Sequence, residues 1–182
     1  MFSNYIKLIE KIDLRSAEVH RQWRRHMACR KGCDGCCRHI AVFPVEAAYL
    51  AKAVACLPAA EATAVRIRAR NTPADGPCPL LIDGACQVYA ARPLICRTQG
   101  LPLLIRRETD VQIDFCPLNF QGITRLPSDI VTDLERLNDI LAAVNIVFLK
   151  QVRPAVPIPG RISIAEALCQ SLLDSDPRKA RG

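Results

Sequence analysis

The segment CRKGCDGCC, residues 29–37, places four cysteines within nine residues, the last two adjacent. Four more, Cys78, Cys86, Cys96 and Cys116, follow beside Gly or Pro or at the ends of short apolar runs. From such positions thiolates can be aimed at a shared ion, and Gly32 and Gly35 let the first segment wrap around one. A chain of 182 residues can bury a core without disulfide staples. Its first residues, MFSNYIKLIEKIDL, show no basic stretch followed by an uninterrupted apolar run, so no signal peptide is expected and a cytoplasmic location is the default. In that compartment reduced thiols bind metals or act as redox groups more often than they form disulfides.

The ten cysteines sort into two classes. Cys56 and Cys169 sit in Ala/Leu-rich helical patterns and read as small buried hydrophobes. The other eight form a soft donor set suited to zinc, iron–sulfur or copper(I), not to magnesium or calcium. Four thiolates complete one tetrahedral zinc or anchor one iron–sulfur cluster, and eight is twice four. Adjacent Cys36 and Cys37 cannot easily point the same way in an extended backbone. One is expected to face a main site while the other serves a second site, bridges, or supports from behind. The spacing leaves open both the metal and the number of sites. The C-x3-C-x2-C spacing of Cys29, Cys33 and Cys36 is also that of radical S-adenosylmethionine enzymes, but Gly35 stands where those usually carry an aromatic residue and no βαβ series follows.

The formal charge of +7 counts the thiols as neutral. Eight thiolates subtract 8 and two divalent ions add 4, leaving +3, so part of the basic excess balances the donor set. With only 5% aromatic residues the chain lacks the stacking groups of a single-strand nucleic-acid binder, and nucleic acid is not an expected partner. No apolar run approaches the ~18 residues of a membrane span. The expected partners are a metal ion and a protein, with the oligomeric state open.

Helix is expected over residues 5–27, from near Pro44, and over AAEATAVRIRARN after Pro58. The Asp83-Gly84 step between two apolar runs marks a hairpin, and LPLLIRRETDVQIDFC has the same shape. From Ser128 the apolar residues Ile130, Leu134, Leu137, Leu141, Val144 and Phe148 recur at helical spacing. Ser163 and Glu166 form a capping box before a last short helix. The expected fold is α+β, a mainly helical single domain over 1–174 with small β-hairpins around a cysteine-bound metal. It has a cysteine core at 29–116, helical flanks at 1–27 and 128–174, and a disordered tail at 175–182.

Taken together, CRKGCDGCC, CPLLIDGACQVYAARPLICR and Cys116 resemble the YkgJ-type cysteine-cluster family, described as a zinc- or iron-chelating domain. The resemblance rests on the Cys-Cys pair, Cys78-Pro79-Leu80, Gly84, Cys86, Tyr89, Arg92-Pro93 and Cys96-Arg97. It departs at the first gap, where three residues rather than the frequent two separate Cys29 from Cys33. It implies metal chelation by Cys29, Cys33, Cys36, Cys37, Cys78, Cys86, Cys96 and Cys116. A zinc ion held by four thiolates carries a charge of −2, which Arg92 and Arg97 on either side of Cys96 are expected to offset, with Tyr89 as a nearby hydrogen-bond donor. His39, two residues past the cluster, is a candidate ninth ligand. The primary reading is a metal-binding protein holding iron, as a cluster or otherwise, or zinc. Two alternatives stand beside it: an iron–sulfur enzyme or electron carrier acting on a protein, and a structural zinc module with a basic binding surface. No Ser-His-Asp pattern, P-loop or G-x-G-x-x-G occurs, and no catalytic residue is named.

Overall fold

The computed structural model describes residues 1–30, 32–107, 109–154 and 156–169. The expected tail at 175–182, and the last five residues of the 128–174 flank, lie outside them. The described residues form a mainly helical α+β fold. Its helices are α1 (Ser3–Gln22), α2 (Pro44–Ala55), α3 (Ala59–Arg70), α4 (Leu94–Thr98), α5 (Leu134–Val152) and α6 (Ile164–Cys169). The strands are β1 (Ala41–Val42), β2 (Leu81–Ile82), β3 (Ala85–Cys86), β4 (Leu103–Arg106), β5 (Val111–Asp114), β6 (Thr132–Asp133) and β7 (Ile162–Ser163). No helix among the described residues is long and apolar enough to cross a membrane.

Local signals set most boundaries. α2 begins on Pro44, and Glu46 reaches back to accept the Phe43 N–H at 3.0 Å. α3 starts directly after Pro58. The β2–β3 hairpin pairs Leu81 with Cys86 and turns through Asp83 (φ 48°) and Gly84 (φ 70°), two successive left-handed residues as a tight primed turn requires. β4 and β5 pair in register from Leu103↔Asp114 to Arg106↔Val111. The Ser163–Glu166 box forms in both directions, Ser163 N–H to Glu166 Oε2 at 3.0 Å and Glu166 N–H to Ser163 Oγ at 3.1 Å.

Three expectations need correction. α1 ends at Gln22 and a short 3₁₀ turn follows over Arg24–His26, so the 5–27 helix is broken at Trp23. The helix expected from Ser128 starts six residues later. β6 first runs parallel to β4, and the Asp133 side chain then caps α5 by accepting the Arg136 N–H at 3.1 Å. Cys56 and Cys169 are exposed, not buried. Cys56 lies beyond the buried stripe of α2, which ends at Val54, and Cys169 follows the buried pair Ala167–Leu168 of α6.

The apolar interior has three parts. Leu50, Val54, Val65, Leu80, Ile164 and Leu168 join α2, α3 and α6 to the β2–β3 hairpin. Tyr5, Leu8, Val45, Leu94, Leu141 and Phe148 join α1, α2 and α5 to the start of α4. Val19, Leu101, Phe120 and Ile130 make a smaller cluster beneath Trp23. Cys78 and Cys86 pack against the first of these clusters, so the helices act as a scaffold, and the clustered thiols sit on loops and hairpin ends except Cys96, which lies on α4.

Candidate metal centre

The 29–37 segment is a chain of tight turns. Cys33 N–H donates to Arg30 O at 3.0 Å, Cys37 N–H to Asp34 O at 2.8 Å, and Arg38 N–H to Cys36 O at 3.0 Å. Its end is stitched to the approach of Cys78 by Cys78 N–H to Cys37 O and His39 N–H to Gly76 O, both 3.0 Å. Arg68 of α3 donates to Pro79 O at 3.0 Å and fixes the residue after Cys78. The hairpin tip closes onto the same segment. A Cβ on Gly84 would stand 3.3 Å from Gly32 Cα, so this tight approach, together with its left-handed φ, favours glycine.

These contacts bring four thiols into one neighbourhood. Burial pushes the Cys96 thiol up to about 12, and the thiols of Cys78, Cys86 and Cys37 push it the same way. Burial likewise raises Cys78 to about 11, with Cys86 and Cys37 adding to the rise. Cys37 is raised by burial first and then by Cys86. Cys86 is raised by burial, while the nearby Arg92 guanidinium works against the rise.

The adjacent Cys36 keeps different company. Cys36 is exposed as a residue, yet partial burial of its thiol pushes it up to about 11, followed by the effects of Cys37, Cys29 and Cys33. Cys29 and Cys116 meet across Gly100. A Cβ on Gly100, whose φ is +86°, would stand 2.6 Å from Cys29 Sγ and 4.0 Å from Cys116 Cβ. Asn119, only 1% exposed, completes this corner. Its Nδ2–H donates to Cys29 Sγ at 3.3 Å and to Gly100 O at 2.8 Å, and its Oδ1 accepts the Ala28 N–H at 2.7 Å. Of the adjacent pair, only Cys37 is coupled to Cys78, Cys86 and Cys96 and only Cys36 to Cys29, while both feel Cys33 and each other; Cys116 lies beside Cys29. Among the described residues no group of three or more Cys, His, Asp or Glu side chains is placed so as to hold a metal ion. The two sets are neighbourhoods of thiols rather than closed tetrahedra.

The polar residues around Cys96 take up distinct posts. Arg97 is 4% exposed and turns away from the thiols, donating to Ala90 O, to Arg92 O at 2.8 Å and to the Asp13 carboxylate. It ties α4 to α1 and to the preceding turn. Arg92 donates to Tyr89 O at 3.0 Å and lies 3.6 Å over the Tyr89 ring. Exposed Tyr89 therefore supports Arg92 from beneath by a cation–π contact. His39 has both ring nitrogens engaged, Nδ1 with Pro73 O at 3.1 Å and Nε2 with the Ala165 N–H at 3.2 Å, so it clips α6 to the 72–76 turn instead of facing the thiols.

Two residues beyond the sequence reading hold the thiols in place. One is Asn119. The other is Glu46, 2% exposed, whose Oε1 accepts the Leu94 N–H at 2.8 Å and so anchors the start of α4, two residues before Cys96. Burial holds its carboxyl above the ordinary value of 4.5. The S/T-x-x-E rule found the equivalent glutamate at 166, but at Glu46 the cap position is Phe43, which offers no side-chain acceptor.

A family-level comparison matches residues 28–117 to the family described as "CxxCxxCC: Putative zinc- or iron-chelating domain". The match spans just under half of the chain, and it encloses Cys29, Cys33, Cys36, Cys37, Cys78, Cys86, Cys96 and Cys116. No curated protein and no solved structure matches the chain.

Proposed function

We propose that the chain chelates zinc or iron in two four-thiol sets that share the 29–37 loop. The inner set is Cys37, Cys78, Cys86 and Cys96, and the outer set is Cys29, Cys33, Cys36 and Cys116. The observation that carries this reading is the division of the adjacent pair, with Cys37 among the hairpin and α4 thiols and Cys36 among the loop thiols. The donor chemistry fits. Thiolates are the preferred ligands of zinc and of iron–sulfur clusters, and each set offers four. Bound metal would supply Lewis-acid or electron-accepting character to this corner, and it would tie the loop, the hairpin and α4 together. Around it, Arg92 offsets part of the thiolate charge beside Cys86, and Asn119 directs an N–H at Cys29.

The test is metal analysis of anaerobically purified protein with single Cys→Ser variants. C96S and C37S are expected to lose the same share of the metal, and C29S and C36S the other share. Loss of one common pool by C36S and C37S would overturn the two-set reading. Acid-labile sulfide with a visible absorption band assigns iron–sulfur, and a colourless stoichiometric protein assigns zinc.

A further inference from the structure

The two proposed sets differ in cover. Cys37, Cys78, Cys86 and Cys96 are all partly buried, Cys86 on the hairpin and Cys96 on α4. In the outer set Cys29 and Cys116 are also partly buried, held at the Gly100–Asn119 corner, but Cys33 and Cys36 are exposed. A Cβ built on Gly32 or Gly35 would meet nothing within 4 Å, so that side of both turns is open, while the hairpin tip at Gly84 packs against the Gly32 backbone. Exposed Arg30 and Arg38 flank them, with Asp34 between.

Resting on the two-set reading, we infer that Cys33 and Cys36 form an exchange edge. Through it the outer set passes its metal ion, as cargo, to a thiol-bearing acceptor, whereas the inner set retains its ion. The asymmetry of the outer set supplies the mechanism. Cys29 is anchored by a buried hydrogen-bonded amide and by the close approach of Gly100, so this half stays in place. The Cys33 and Cys36 bonds face solvent and can be replaced one at a time. Each cysteine–metal bond that breaks is matched by a bond to an acceptor thiolate. The metal keeps its oxidation state, and each freed thiolate takes up a proton from water. The arginines at the two ends of the edge favour the approach of an anionic thiolate. Attack on the inner set requires the hairpin or α4 to open first, and local opening of packed elements costs more than fraying of an exposed loop.

The experiment loads the full-length chain with zinc and mixes it with dithiothreitol, the released metal being read with the chromogenic chelator zincon. Two phases of equal amplitude are expected, one at least about tenfold faster than the other, a factor that corresponds to a small difference in barrier. The rate of the fast phase should rise with dithiothreitol concentration, and the slow phase should level off at the opening rate. C33S should abolish the fast phase and leave the slow one, and C96S should do the reverse. Two equivalents leaving at one common rate, or a fast phase that survives C33S and disappears in C96S, would overturn the exchange edge while leaving two sites standing. A single bound equivalent would overturn the two-set reading and the inference with it.

Discussion

Replacing Glu46 by alanine tests how the scaffold holds the thiols. The carboxylate accepts two backbone N–H groups, Phe43 at 3.0 Å and Leu94 at 2.8 Å, from a site 2% exposed. E46A removes both acceptors. A buried donor left without a partner costs about 1–3 kcal/mol, so the pair amounts to about 2–6 kcal/mol. A cavity of about 500 Å³ adjoins Glu46 between α2, α4 and α5, giving water a route to the vacated position. The lower half of that range, about 2–4 kcal/mol, is therefore expected against a typical net stability of about 5–15 kcal/mol. Urea denaturation with circular dichroism reads the loss. Because Leu94 opens the helix that carries Cys96, the variant should also hold its inner metal less tightly in chelator competition. The pH dependence carries a sign. Burial raises the carboxyl above 4.5, so the folded chain binds that proton more tightly than the unfolded one. The resulting stability is complete below the unfolded value and is lost as pH rises through the raised native one. E46Q cannot ionise and lacks this decline, so its deficit against wild type should shrink as pH rises through that window. An E46A chain within about 0.5 kcal/mol of wild type would refute the double-acceptor account. A destabilised chain with unchanged metal retention would refute the coupling to Cys96.

Asn119→Asp replaces the N–H donor facing Cys29 with an acceptor and adds a like charge beside the thiolate. Outer-set metal should fall by one share, with the inner share intact, in elemental analysis of the full chain. Tyr5 is 1% exposed and its hydroxyl finds no hydrogen-bond partner among the described residues, so Tyr5→Phe should raise stability by about 1–3 kcal/mol, the cost of an unsatisfied buried group, read by urea denaturation. In the metal-free chain Cys36, Cys78 and Cys96 are raised from 9.0 to between about 11 and about 12. Their contribution to stability is therefore full below pH 9.0 and lost as pH climbs through the raised values, as thermal melts across alkaline pH should show. Metal uptake has the opposite sign, because it displaces those protons. Proton release on zinc addition, measured in weak buffer, and weaker retention at acid pH should follow.

Much of this arrangement was legible in the chain itself. Asp83-Gly84 announced the hairpin because only a primed turn joins two short strands with two successive left-handed residues. Pro44, Pro58 and the Ser163–Glu166 box placed three helix starts for equally local reasons. The two-residue strands β1, β6 and β7 were not legible, since two residues cannot display an alternating pattern. The apolar repeat from Ile130 therefore read as continuous helix, although Thr132 and Asp133 belong to a parallel pairing with β4. Cys56 and Cys169 looked buried because an Ala/Leu-rich context marks a helix without saying which face a given position takes. Asn119 and Glu46 were hidden for another reason: their partners lie 91 and 48 residues away, at Ala28 and Leu94, and no local spacing rule reaches so far.

The adjacent cysteines carry the remaining argument. Successive side chains diverge along a backbone, so a Cys-Cys pair is poorly suited to supplying two ligands on the same side of one ion. It is well suited to the edge between two thiol sets, where one backbone position presents a sulfur to each side. The turn at Asp34–Cys37 directs Cys37 toward the hairpin through the Cys78 N–H to Cys37 O bond, and this leaves Cys36 on the outer side with Cys29 and Cys33. A single site with spare thiols would need Cys36 and Cys37 to converge on the same neighbours. The two share Cys33 and contact each other, but only Cys37 is coupled to Cys78, Cys86 and Cys96 and only Cys36 to Cys29, and they differ in cover as well. Under the proposed two-set reading, the loop that begins as a dense local motif is a shared wall, with partly buried Cys37 on one side and exposed Cys33 and Cys36 on the other.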